Sequence, residues 1–154
     1  MAGSIVCGVD GSVDSQAALE VAARLSTRLG LRLVIAHVAE PRYIPYAAVA
    51  PFGGMAGRDA VMEEVEWQEE AAERLIEHVV VAGGLTHAER RVVVGMPAER
   101  HADVADEEDA DLIVVGSRGR GAFKSAFLGS VSTSLVGVAR CPVLIVPPGA
   151  TDAS

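Results

Sequence analysis

Two hydrophobic patterns alternate along this chain. Short runs that are apolar at nearly every position mark strands covered on both faces. Longer stretches with apolar residues every three or four positions mark amphipathic helices. Ser4–Val9 (SIVCGV) is the first run. A helix follows, with Ser12 as its cap and Gly30 as its end. Ala18, Val21, Ala22, Leu25 and Leu29 share one face of it, with Glu20, Arg24 and Arg28 opposite. Leu31–Val38 is a second strand, so the chain opens with a β-α-β unit and a parallel sheet.

The pattern then breaks. Glu40–Arg58 holds three of the seven prolines and both tyrosines, without periodicity, and is read as a flap or mobile segment. A long helix is expected over Asp59–Ala82, with Val61, Val65, Ala72, Leu75, Ile76 and Val79 inward and Glu63, Glu66, Glu70, Glu73 and Glu77 in solvent. Trp67 lies off that stripe and is read as packing under a neighbouring loop rather than marking a partner. Arg90–Val94 is the third strand, and Pro97 opens a third helix with Ala98, Ala102 and Ala105 inward. His101 falls on the same side, as a partly buried histidine. Leu112–Val115 is the fourth strand, Val131, Leu135 and Val138 form a helical stripe, and Cys141–Pro147 is the fifth strand. Five strands alternating with four helices make a doubly wound α/β fold. The expectation is one domain over residues 1–148 and a polar tail over 149–154.

Charge narrows the function classes. A net charge of −8 argues against a general nucleic-acid or anionic-membrane binder. No apolar run approaches the ~20 residues of a membrane span, and Met1-Ala-Gly-Ser leads straight into a strand, so a soluble cytoplasmic protein is expected. Cys7 and Cys141 are read as reduced, structural thiols, with a reactive Cys141 as the lesser alternative.

One stretch stands out against this acidic body. Between Gly116 and Ser132 the charge is +3, from Arg118, Arg120 and Lys124, the only lysine, which leaves −11 on the rest. Gly116, Gly119, Gly121 and Gly129 make it a glycine-rich loop between strand and helix, a junction that aims backbone N–H groups at an anion. Ser130 is the expected N-cap, and its hydroxyl and that of Ser132 are candidate phosphate donors. The loop is neither a P-loop nor the dinucleotide fingerprint. Asp10 sits at the carboxyl end of the first strand, either as a ligand contact or as a turn residue satisfying nearby amides. No Gly-x-Ser-x-Gly elbow occurs, and His37, His78, His87 and His101 lack metal-ligand spacing. Neither a catalytic residue nor a metal ligand is assigned.

The spacing Gly116-x2-Gly119-x9-Gly129-Ser130, followed by Val131-Ser132, resembles the ATP-binding signature of the universal stress protein family. Val9-Asp10-Gly11-Ser12 and the closing Cys-Pro-Val-Leu-Ile-Val-Pro extend the resemblance from about Ser4 to Pro147. It implies a five-stranded parallel sheet of order 3-2-1-4-5, helices on both faces, and ATP as ligand, with or without Mg. Asp10 and the backbone of Gly8 and Val9 are then expected at adenosine, with Gly11 and Ser12 in the same turn, and Val38 at the adenine edge. Gly116 and Gly119 are expected near ribose and phosphate, flanking Ser117 and Arg118, the latter at a position where relatives vary. Gly129, Ser130, Val131 and Ser132 are expected to hold the phosphates. The resemblance further implies a stress-response role with weak or no hydrolysis, and a homodimer through Val143, Leu144, Ile145 and Val146. In that strand order the first and fifth strands lie ~9.6 Å apart, beyond the ~7 Å reach of a disulfide, so Cys7 and Cys141 are not expected to pair. A slow ATPase or nucleotidyl or phosphoryl transferase using the same loop is the alternative, as is a module for another nucleotide messenger.

Overall fold

The structure is a computed structural model that describes residues 3–41, 55–119 and 128–150. In chain order the elements are β1 (Ser4–Gly8), α1 (Val13–Leu29), β2 (Arg32–Ala39), α2 (Met55–Ala82), β3 (Glu89–Val94), α3 (Pro97–Glu107), β4 (Ala110–Gly116), α4 (Ser130–Val138) and β5 (Val143–Val146). The strands form one sheet of order β3-β2-β1-β4-β5, and every pairing is parallel. This is the expected doubly wound order.

Alternation along the central strands divides the core in two. Ile5, Cys7, Leu33, Ile35 and Val114 face α1 and α2, where Ala18, Ala22, Ile76 and Val80 meet them. Val6, Val34, Ala36, Ile113 and Val115 face the other way, against Ala102 and Val104 of α3 and Leu135 of α4. Cys7 lies within the first layer, where burial pushes its thiol up to about 12. It and Cys141 are both free, as expected, and burial raises the Cys141 thiol as well, which weighs against a reactive role.

Helix boundaries follow their caps. Ser12 accepts a hydrogen bond from the Ser15 amide at 3.2 Å, and Gly30 closes α1 in the left-handed conformation, φ 68°. Four expectations need correction. Leu29 is exposed, because the buried line of α1 runs through Ala18, Ala22 and Ser26, small residues that bring the helix close to the sheet. Val138 is exposed too; α4 buries Ser132 and Leu135 instead. Helix α2 begins at Met55, about a turn before Asp59, and the rest of the expected flap, residues 42–54, lies outside the described residues. Its buried line runs through Ala72, Ile76 and Val80 and continues upward as Gln68 and Glu64, whereas Val65 is exposed.

Close packing between layers sets a test. A Cβ on Gly116 would stand 2.6 Å from the Asp14 carbonyl carbon and 2.8 Å from its oxygen, both backbone atoms of α1. Gly137, in α4, has nothing among the described residues within 4 Å of such an atom. Gly116→Ala is expected to destabilise the fold by about 1–3 kcal/mol through overpacking, and Gly137→Ala to stabilise it by about 0.5 kcal/mol. Urea unfolding of the two variants checks this; equal midpoints would show that the β4–α1 contact is loose.

Candidate functional site

Parallel strands deliver all their carboxyl ends to one edge, and the ends of β1, β2 and β4 lie side by side there. The β1–α1 turn is fixed by its own side chains. Asp10 Oδ1 accepts from the Ser12 amide at 2.9 Å, the Asp10 amide donates to Ser15 Oγ at 3.3 Å, and Gly11 takes a φ of 79°. Asp10 is thus a turn residue through one oxygen. Its other oxygen, Oδ2, faces the glycine loop: a Cβ on Gly119 would lie 2.9 Å from it.

The loop after β4 is held from both sides. Asp14, almost fully buried in the first turn of α1, accepts through Oδ2 from Ser117 Oγ at 2.9 Å, the Arg118 amide at 3.1 Å and Arg118 Nε at 3.4 Å. The Ser117 carbonyl in turn accepts from the Gly129 amide at 2.6 Å and from Ser132 Oγ at 3.0 Å, which joins the two ends of the loop. Residues 120–127, with Arg120, Gly121 and Lys124, lie outside the described residues.

Two expectations about α4 change here. Gly129, not Ser130, is the N-cap, with φ −77° and ψ 170°, and Ser130 is the first helical residue. That backbone conformation suits any residue. The Ser132 hydroxyl, expected as a phosphate donor, is buried and donates to the Ser117 and Gly129 carbonyls. The amides of Ser130 and Val131 remain as first-turn groups with no acceptor inside the helix, at its positive end.

These elements enclose a cavity of about 750 Å³. Gly8, Val9 and Asp10 line it from β1, Val38 from β2, and Gly116, Arg118, Gly119, Gly129, Ser130, Val131 and Ser132 from the β4–α4 junction. Gly11, Ser12 and Ser117 do not line it; they shape the turns behind the wall. Sequence reasoning did not assign the remaining wall, which includes Trp67, Gln68, Ala71, Ala72 and Leu75 of α2, Leu128, His37 and His101. Asp14 was also missed, because nothing in its local sequence separates it from any acidic residue in a first helical turn.

Both histidines are oriented by a backbone carbonyl. His37 Nδ1 lies 2.8 Å from the Val9 carbonyl and His101 Nδ1 2.7 Å from the Pro97 carbonyl, so each Nδ1 carries a proton and donates. His101 is 5% exposed, and its Nε2 makes no hydrogen bond among the described residues and sits against Gly8, where a Cβ would approach it to 2.6 Å. Burial pushes its pKa below the usual histidine range; the Pro97 and Ala36 carbonyls and Asp10 oppose that shift less strongly.

A histidine depressed in the folded state takes its proton more readily when unfolded. Its stabilising contribution is whole above pH ~6.5, the unfolded value, and is lost as pH falls toward the folded value. The wild type is therefore expected to lose stability relative to His101→Leu by up to about 1.4 kcal/mol per pH unit as pH falls below 6.5. Parallel curves between pH 7.5 and 5 would show that this ring does not titrate with unfolding.

Residues 1–147 match the family model described as the universal stress protein family. A universal stress protein of Thermus aquaticus is 35% identical over 143 residues, covering 93% of this chain and 97% of that one. One from Mycobacterium tuberculosis is 30% identical over 92% of this chain, which spans only 47% of that longer protein. Among solved structures, a universal stress protein in complex with cAMP is 30% identical, with a TM-score of 0.57 over 96% of this chain and 98% of that one.

Proposed function

The chain belongs to the universal stress protein family, and from that premise we propose that it binds ATP across the carboxyl end of its sheet, as a nucleotide-dependent regulatory module in stress response. The observation that carries the reading is one cavity with two chemically different ends. At one end stand the first-turn amides of α4, Arg118 and closely approaching glycine backbone, which suit phosphates. At the other, Val38, Leu75 and the alanines of α2 suit an apolar, flat group. Asp10 lies between them, placed to accept from ribose hydroxyls. The related protein solved with cAMP holds an adenine nucleotide, which supports the class of ligand. The +3 charge of the 116–132 segment favours a polyphosphate.

Among the described residues no group of three His, Cys, Asp or Glu side chains could hold a metal ion. A Mg ion would therefore ride on the phosphates and water. Turnover is slow or absent in this reading. Asp10 Oδ1 is committed to the Ser12 amide and Asp14 to three donors, and the loop has no Walker lysine to stabilise a departing phosphoryl group. Sustained hydrolysis above about 1 s⁻¹, an ordinary enzymatic rate, would instead make the protein an ATPase.

Gly129→Val tests the phosphate end. Its Cβ would sit 3.3 Å from Arg118 Cα and 3.4 Å from the Gly119 amide nitrogen, already tight before the two methyl groups are added. Calorimetric titration with Mg-ATP is expected to show binding by the wild type and a loss of about 100-fold or more in the variant, with an unchanged circular dichroism spectrum. A folded variant that binds like its parent would remove this loop from the site.

We also propose a homodimer through the β5 edge. Val143, Leu144 and Ile145 are only partly buried within one chain, and α4 beside them leaves Val136 and Val138 exposed. Sedimentation at micromolar concentration is expected to give twice the 16.0 kDa chain mass, and Val136→Asp to shift the population toward monomer. A wild-type monomer at that concentration would contradict the interface.

A further inference from the structure

Arg118 is tied to Asp14 by two bonds to one oxygen. Its backbone amide reaches Asp14 Oδ2 at 3.1 Å, and its side-chain Nε reaches the same atom at 3.4 Å. Asp14 is itself fixed, since it is almost fully buried and also accepts from Ser117 Oγ at 2.9 Å. An arginine held at both ends of its stem has given up much of its rotamer freedom before any ligand arrives. The guanidinium is a rigid planar fork, so a bond through Nε leaves its end edge, Nη1 and Nη2, for a second partner. That edge makes no hydrogen bond or ion pair among the described residues. The side chain is 28% exposed, and Arg118 lines the cavity.

The amino end of α4 lies against the same residue. A Cβ on Gly129, the cap, would stand 3.3 Å from Arg118 Cα. The phosphate end therefore combines two anion binders of different kinds. The first-turn amides of α4 suit one phosphate, and the fork suits a pair of oxygens on another. A single phosphate group satisfies only one of them fully. We infer that Arg118, positioned by Asp14, is the residue by which this site selects nucleoside polyphosphates over monophosphates. The inference rests on the nucleotide reading and deepens it.

Calorimetric titration of the full chain with Mg-ATP and with AMP tests the selection. The wild type is expected to bind Mg-ATP at least about tenfold more tightly than AMP, the scale of one hydrogen bond to a charged group. Arg118→Gln should lose about that factor for Mg-ATP and less than about twofold for AMP, whose binding serves as the control for folding. Arg118→Lys should recover little of the loss, because an ammonium keeps the charge without the fork. Asp14→Asn should lower the preference for Mg-ATP over AMP in the wild-type background and leave it unchanged in the Arg118→Gln background, since the two residues act as one unit. An equal fall in both backgrounds overturns the positioning role of Asp14. Equal losses for Mg-ATP and AMP in Arg118→Gln, full binding by Arg118→Lys, or a wild type that binds the two nucleotides alike overturns the selecting fork and leaves the nucleotide reading standing. A wild type that binds neither overturns both.

Discussion

One buried carboxylate organises the site. Asp14 lies in the first turn of α1, on one face of the sheet, yet its Oδ2 takes three donors from the segment that leaves β4. A charge this buried is tolerated only when its hydrogen bonds are made, so the α1 turn and the glycine loop must be placed together. Gly116 makes the contact close, since any side chain there would strike the α1 backbone. From that anchor the Ser117 carbonyl reaches Gly129 and Ser132 and sets where α4 begins. The amino end of α4 is aimed into the cavity as a consequence of packing, before any ligand arrives.

The two edges of the sheet are built on different principles. At the amino end Arg32 pairs with Glu89 at 2.6 Å and Arg91 with Glu107 and Glu108, while Ser4 Oγ and Arg32 both donate to the Glu108 carbonyl. These are partly exposed pairs of modest energy that close the bottom of the molecule. At the carboxyl end polar groups are spent on shaping a cavity. His101 illustrates the cost: a buried ring whose Nε2 makes no hydrogen bond among the described residues, held against Gly8. Such a group lowers stability, and positions that break the rules of packing gather where a structure serves a ligand.

Much of the fold was legible in the sequence because parallel strands, buried on both faces, need continuous apolar runs, and Ser4–Val9 or Leu112–Val115 has little else to become. Glycine spacing marked the loop for a similar reason: at Gly116 the α1 backbone stands 2.6 Å from where a side chain would begin. What escaped was tertiary. Helical periodicity placed Val65 inward, but the i, i+4 line of α2 that holds Val80, Ile76 and Ala72 in the core continues as Gln68, at the cavity, and Glu64, so polar residues take over the buried line. Ser130 had the chemistry of a cap and lost the position to Gly129, whose amide is drawn to Ser117 across the loop. Asp14 has meaning only through partners far away in sequence.

The central claim is that the amino end of α4 receives phosphates inside a cavity preformed by the Asp14 tether. A crystal structure of the chain grown with ATP tests it most directly. The account predicts phosphate oxygens at hydrogen-bond distance, ~3 Å, from the amides of Ser130 and Val131, with the Asp14 to Ser117 and Arg118 bonds kept. Nucleotide density on another face of the molecule, with the α4 amino end holding only solvent, would contradict it.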